Sequence, residues 1–173
     1  MPSEPAAAAE ESASTANVPS AEREAQLAKV PFLDGLTPET LAMIADVTTE
    51  ETHPYGTRIF GYGEPGDKLY IILEGKVRIS REVGGMGEEA LAVLGPGEVF
   101  GEMALLDESP RSADGKAHER CRLLVITKDA FDDLLFLHKD LAYEVLWACV
   151  RMLASRLRET NDKLTFLSTS GRF

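Results

Sequence analysis

From His53 to Ile126, glycine-rich breaks cut the chain into short runs of β-branched and aromatic residues, and this rhythm constrains the fold most. The runs are Thr57–Phe60, Lys68–Leu73, Val77–Arg81, Glu88–Leu94 and Cys121–Thr127. Breaks fall at Gly61–Gly66, Glu74-Gly75, Gly84–Gly87 and Gly95-Pro96-Gly97. Turn signals at this spacing predict a small antiparallel sandwich or barrel.

Helical signals flank it. Thr37-Pro38-Glu39 is a helix start: Thr37 caps, Pro38 takes the first helical position, and Glu39 favours the positive end. Leu41, Ile44 and Ala45 then recur at helical spacing, and the helix is expected to stop before Thr48-Thr49. A short helix is predicted over 129–137. Asp140 can cap a long one reaching Leu167. Its length of roughly 40 Å, at 1.5 Å per residue, exceeds what so small a β-domain can cover, so part of it should project. Leu146, Cys149, Leu153, Leu157, Leu164 and Leu167 form an apolar seam on it. Such a seam predicts a homodimer through residues 140–168. Thr160 interrupts the seam, where a polar residue can fix register.

Residues 1–26 are rich in Ala, Glu, Ser and Pro. They are expected to form a disordered acidic tail, because so little apolar surface cannot offset the entropy of ordering. The domain proper is placed at 27–139.

Charge excludes several partners. There are 29 acidic and 18 basic residues, a formal charge of −11, with no dense Lys/Arg block. Neither DNA nor an anionic membrane is expected to bind. No apolar run approaches the roughly 20 residues of a membrane span. The N-terminus has no basic region followed by an apolar core, and two cysteines make no disulfide framework, so a cytoplasmic location is expected.

Two motifs mislead. Gly61-Tyr62-Gly63-Glu64-Pro65-Gly66 has the spacing GxGxxG, but a strand follows it, not the helix a dinucleotide fingerprint requires. His53, His118 and His138 are scattered, so no metal is predicted. With no G-x-S-x-G elbow, the chain is read as non-enzymatic and without a cofactor.

The informative segment is Gly95–Ala113, GPGEVFGEMALLDESPRSA. Gly101 allows close approach of backbone to a ligand. A short helix starting there aims free N–H groups at an anion. Arg111 can neutralise that anion with a bidentate fork, and Ser112 can donate once more. Glu102 would repel an anion unless it accepts from a neighbouring donor such as a ribose hydroxyl. Together they point to a sugar phosphate within a nucleotide.

Residues of about 31–167 resemble the cyclic nucleotide-binding domain family. The resemblance rests on Gly66-Asp67 before Leu69–Ile72, on Gly75-Lys76-Val77, on Gly97–Glu102 and on Pro110–Ala113. It implies a mainly β fold with flanking helices: an eight-stranded antiparallel jelly-roll barrel plus a long C-terminal helix. It implies a phosphate-binding cassette over 101–112, including Gly101, Glu102 and Met103. Glu102 would take the ribose 2′-hydroxyl, Arg111 the cyclic phosphate, Ser112 the phosphate or purine, and Ile79 and Leu91 the base. In the family's catabolite-activator branch, the segment matching Arg156–Lys163 contacts adenine across a dimer. That carry-over implicates Thr160 and Asn161, and favours cyclic AMP over cyclic GMP. The residues after Ala113, Asp114-Gly115-Lys116, depart from the family's apolar strand and put Asp114 near Arg111.

No helix-turn-helix follows residue 167 in this sequence, so the expected function is a receptor that signals in trans to a protein effector. The alternative is a barrel that serves as a dimeric scaffold, or one that takes a cyclic dinucleotide.

Overall fold

A computed structural model describes residues 14–16, 19–84 and 87–170. Strand β1 is Ser14–Ala16 and helix α1 is Ser20–Leu27. A 3-10 turn, Pro31–Leu33, precedes α2, Pro38–Val47. The β-region follows: β2 Thr49–His53, β3 Arg58–Phe60, β4 Lys68–Glu74, β5 Val77–Val83, β6 Gly87–Leu94 and β7 Val99–Phe100. Then come α3 Glu102–Asp107, β8 Asp114–Ala117, β9 Cys121–Thr127, α4 Lys128–Leu137 and α5 Lys139–Ser170.

The predicted jelly roll is present as two antiparallel sheets, not as a closed barrel. One sheet runs β1-β2-β9-β4-β7, the other β3-β8-β5-β6. Among the described residues, strand β6 pairs only with β5, which leaves its other edge open. The two-residue β7 and three-residue β3 are too short to carry ladders across the gaps.

Alternation along β4 explains its continuous apolar run. Tyr70 and Ile72 point into the sandwich with Val77, Phe100, Leu123 and Val125. Leu69 and Ile71 point the other way, into a second core with Leu27, Leu41, Ile44, Phe131, Leu141 and Val145. A strand buried on both faces reads as unbroken apolar sequence. In α2, Thr37 caps as predicted, its Oγ1 accepting from the Thr40 amide at 3.2 Å.

Four strands escaped the sequence: β1, β2, β7 and β8. In β2, Thr-Glu-Glu-Thr-His, buried Glu50 accepts from Arg122 Nε at 2.7 Å. Glu51 contacts His53 Nε2 at 3.0 Å and accepts from Lys68 Nζ at 2.9 Å. These contacts hold Glu51 below the usual carboxylate range, the His53 bond first. Strand β8 contains Gly115, where a Cβ would lie 2.9 Å from the Phe60 ring. That close packing requires glycine.

The disordered-tail expectation is corrected where it meets described residues. Ser14–Ala16 pairs with β2, and residues 20–27 form α1. Good helix formers and one fully buried anchor, Leu27, hold α1, and Arg23 Nε donates to the Ala45 carbonyl at 3.0 Å. The rest of the predicted tail, 1–13 and 17–18, lies outside the described residues.

Helix α5 also divides its predicted seam. Leu141, Val145, Ala148 and Cys149 pack into the domain, and burial pushes the Cys149 thiol up to about 11. Tyr143, Leu146, Val150, Leu157 and Leu164 are exposed on another face. Cys149 therefore belongs to the core and not to the outward seam. The side chain of Leu167 lies outside the described residues. No helix among the described residues is long and apolar enough to cross a membrane.

Candidate functional site

The cassette is built on a left-handed turn. Gly101 has φ +79°, and a Cβ there would sit 2.6 Å from Arg111 Nη1. Only glycine combines that φ with that proximity. Helix α3 starts at Glu102, directly after this turn.

Arg111 lies beneath the site with 3% of its surface exposed. Its Nη1 donates to the Gly101 carbonyl and its Nη2 to the Lys68 carbonyl, both at 2.8 Å. The guanidinium stacks on Phe60, 4.3 Å from the ring centroid. Its Nε is buried with no partner among the described residues. Burial lowers its pKa, opposed by Tyr70, Asp67 and Glu102. The Arg111 backbone is braced as well: its carbonyl accepts from the Gly63 amide at 2.9 Å and its amide donates to the Glu64 carbonyl at 2.8 Å. The GxGxxG turn is thus a support for the cassette.

Glu102, also 3% exposed, is not free. It accepts from Arg156 Nη1 of α5 at 2.6 Å, and Arg156 Nη2 donates to the Val99 carbonyl. Sequence reasoning missed Arg156, because a charged residue on an exposed helix reads as solvated surface.

One cavity collects nearly all the expected residues. Ile79, Leu91, Gly101, Glu102, Met103, Arg111, Ser112 and Thr160 line it. Asn161 does not, since adjacent helical residues point about 100° apart. Phe60 also lines the cavity and was not anticipated; Arg156, Glu159 and Lys163 line it too, in a segment singled out by resemblance but not named among the expected site residues. Ser112 Oγ contacts Met103 Sδ at 3.8 Å. Thr160 Oγ1 donates to the Arg156 carbonyl at 2.8 Å, which leaves its lone pairs available.

The concern over Asp114 resolves differently. Its Oδ1 accepts from the Tyr62 amide at 3.0 Å and lies 3.9 Å from Arg58 Nε. It ties the GxGxxG turn to β8. The carboxylate recorded beside Arg111 is Asp67, at 3.9 Å. Among the described residues no group of three His, Cys, Asp or Glu side chains could hold a metal ion.

Chemically, the cavity has an anion end (the α3 turn and Arg111), a hydroxyl acceptor (Glu102), and an apolar sheet wall facing a polar helix wall.

Comparison with known proteins agrees with this geometry. A cyclic nucleotide-binding domain family model matches residues 50–138. The chain is 41% identical over 138 residues to the Cyclic AMP receptor protein of Thermus thermophilus, covering 80% of this chain and 62% of that one. A cyclic nucleotide-binding domain from Methylobacillus flagellatus superposes with TM-score 0.75 at 27% identity, covering 84% of this chain and 82% of that one. The N-terminal domain of a transcriptional regulator from Streptomyces coelicolor gives TM-score 0.66 at 35% identity, covering 80% of this chain and 94% of that one. The chain spans about three fifths of the curated relatives it matches. In sequence, in fold and in the construction of its cassette, this chain belongs to the cyclic nucleotide-binding domain family.

Proposed function

We propose that this protein is a receptor without catalytic activity or cofactor, that it binds a cyclic purine mononucleotide in the cavity between α3 and α5, and that it reports binding to a protein effector. The observation that carries the reading is Arg111. Its Nε is a buried donor with no partner, on a side chain that lines the cavity beside Glu102. A buried cationic donor left unpaired is costly, and a phosphate oxygen would satisfy it. The ribose 2′-hydroxyl would donate to Glu102, where Arg156 now donates. Ligand and α5 therefore meet at one carboxylate, which gives binding a route to the helix.

Cyclic AMP is the favoured ligand. A Thr160 oxygen lines the cavity and can accept from the adenine amino group, and the Thermus relative is named a cyclic AMP receptor. The outward face of α5 supports a homodimer. Tyr143, Val150, Leu157 and Leu164 recur every seven residues, with Leu146, Leu153 and Thr160 three residues after the first three. That is an a/d coiled-coil pattern with most of its members exposed. Cys121 and Cys149 are free and buried, which suits the reducing cytoplasm proposed as its compartment.

Calorimetric titration with cyclic AMP, cyclic GMP and cyclic di-GMP, alongside Arg111→Ala, tests the reading. Micromolar or tighter binding of a cyclic mononucleotide, weakened by about 100-fold or more in the variant, is expected. Flat traces for all three would leave the dimeric scaffold as the function. Tighter binding of cyclic di-GMP would replace the ligand.

A further inference from the structure

Helix α4 presents two opposed faces. On the inner one Phe131 and Leu134 are buried and seat the helix in the main core. Thr127 caps it, its Oγ1 accepting from the Ala130 amide at 3.3 Å. The helix is thus held in place by its own domain. Its outer face ends in two large apolar side chains, Phe136 and Leu137, which are 73% and 69% exposed. Lys139 Nζ, 4.8 Å from the Phe136 ring centroid, takes one face of that ring. The pair does not continue the α5 seam. His138, at φ −124° and ψ 87°, breaks the helix between α4 and α5, so the heptad that begins at Tyr143 does not run back onto α4.

The same outer face carries charge of one sign. Asp129 and Asp133 project within about 60° of Phe136 around the axis, about 10 Å and 5 Å before it along the helix. Both are exposed. Asp132 accepts from Lys128 Nζ at 2.8 Å, whereas Asp129 and Asp133 are in no ion pair among the described residues.

That charge selects what can cover the apolar pair. Carboxylates beside it repel an anionic membrane surface. A second copy of this face would bring like charges together. A basic protein segment gains twice, from burying Phe136 and Leu137 and from meeting two unpaired carboxylates. Building on the reading that the protein signals to an effector, we propose that the outer face of α4 is a docking surface for a basic amphipathic helix of a partner protein. The partner's apolar residues cover Phe136 and Leu137, and its Lys or Arg residues, one to two turns away, meet Asp133 and Asp129. Antiparallel packing sets those cations at the partner's C-terminal end against the first turn of α4, which complements both helix dipoles. The surface shares no residue with the nucleotide cavity.

Fluorescence anisotropy on the full chain tests this with a labelled helical peptide of about 18 residues, leucines on one face and lysines on the other. The control peptide has glutamate in place of lysine. The lysine peptide is expected to bind and the glutamate peptide to fail. Binding should weaken about tenfold or more in Asp129→Asn with Asp133→Asn, and likewise in Phe136→Ser with Leu137→Ser. These side chains are exposed, so the fold survives either pair of changes. Glu22→Gln with Glu39→Gln removes as much charge from exposed positions elsewhere and should leave binding within about twofold. No binding, or equal weakening by that remote pair, overturns the proposal. So does a loss confined to Leu157→Glu with Leu164→Glu, which would put the peptide on the α5 seam. Adsorption to phosphatidylserine vesicles that is lost in Phe136→Ser with Leu137→Ser would replace the protein partner with a membrane. None of these outcomes bears on the nucleotide titration, which rests on Arg111.

Discussion

The two halves of α5 share one helix and little else. Up to Met152 the helix is anchored by the domain: Leu141, Val145, Ala148 and Cys149 are each at most 4% exposed. Beyond it Leu157, Leu164 and Phe166 are 57–69% exposed, and Arg156 is the one tether from that half to the β-domain among the described residues. The first half owes its stability to packing that the chain supplies for itself. The second has an apolar stripe with nothing to cover it among the described residues, and its neighbouring face lines the cavity. On the function proposed above, such a helix is a folded element at one end and a sensor at the other.

The largest expected effect would separate the halves. Leu141→Ala should cost about 3 kcal/mol of unfolding free energy, read as a urea midpoint, because it opens a cavity in the main core. Leu164→Ala should cost under about 0.5 kcal/mol in the same measurement on the monomer. Similar losses would show that the halves are not distinct. Next, Leu157→Glu with Leu164→Glu should weaken dimerisation by about 100-fold in sedimentation velocity while the folded domain survives, since charge at a seam position cannot be buried there. A wild-type chain that sediments as a monomer would break this part of the comparison.

A smaller effect sharpens the tether. Arg156→Ala leaves Glu102 buried without its cation and should cost about 2 kcal/mol. Adding Glu102→Gln should recover most of it, and a double-mutant cycle reads the coupling. Amide exchange over 157–170 should accelerate in Arg156→Ala and stay unchanged before Met152.

The smallest effect lies outside α5 and serves as a reference. His53, and then Lys68, hold the Glu51 carboxyl below its ordinary value of 4.5, so its folded pKa is below its unfolded one. The stabilisation is therefore complete above the unfolded value and is lost as pH falls through the folded one. Glu51→Gln should lower stability by about 1 kcal/mol at pH 7, and the gap should close once acidification passes below the folded value. A gap that persisted in acid would assign the loss to packing.

Much of this was legible in the residues. The glycine breaks placed β4, β5, β6 and β9 to within about two residues, and the cassette residues found one another in a single cavity. What stayed hidden has physical reasons. Strand β2 is polar because its carboxylates are answered by Arg122 and Lys68, partners that only the sheet brings together. Strand β7, two residues long, has no period to read. Arg156, Glu159 and Lys163 look like solvent-facing charge on any helical wheel. Their meaning depends on which face α5 lays across the cavity, and that is decided by Leu141, Val145 and Cys149 two to four turns earlier. Asn161 was expected on resemblance alone and across a dimer; in the single chain, one step around the helix places it outside the cavity that Thr160 lines.

The open edge of β6 bears on how the protein behaves in bulk. An eight-residue strand with unpaired N–H and C=O groups is a template on which another chain can add a strand. Leu91 and Val93 make that edge adhesive, and Leu91 cannot be exchanged for a charge without disturbing the cavity mouth. Protection is left to Glu89 near the strand's start, since Glu88 beside it is answered by Arg78 Nε at 3.3 Å. Strand addition at β6 is thus the route by which copies of this chain would clump when concentrated, and Val93→Lys would raise its solubility.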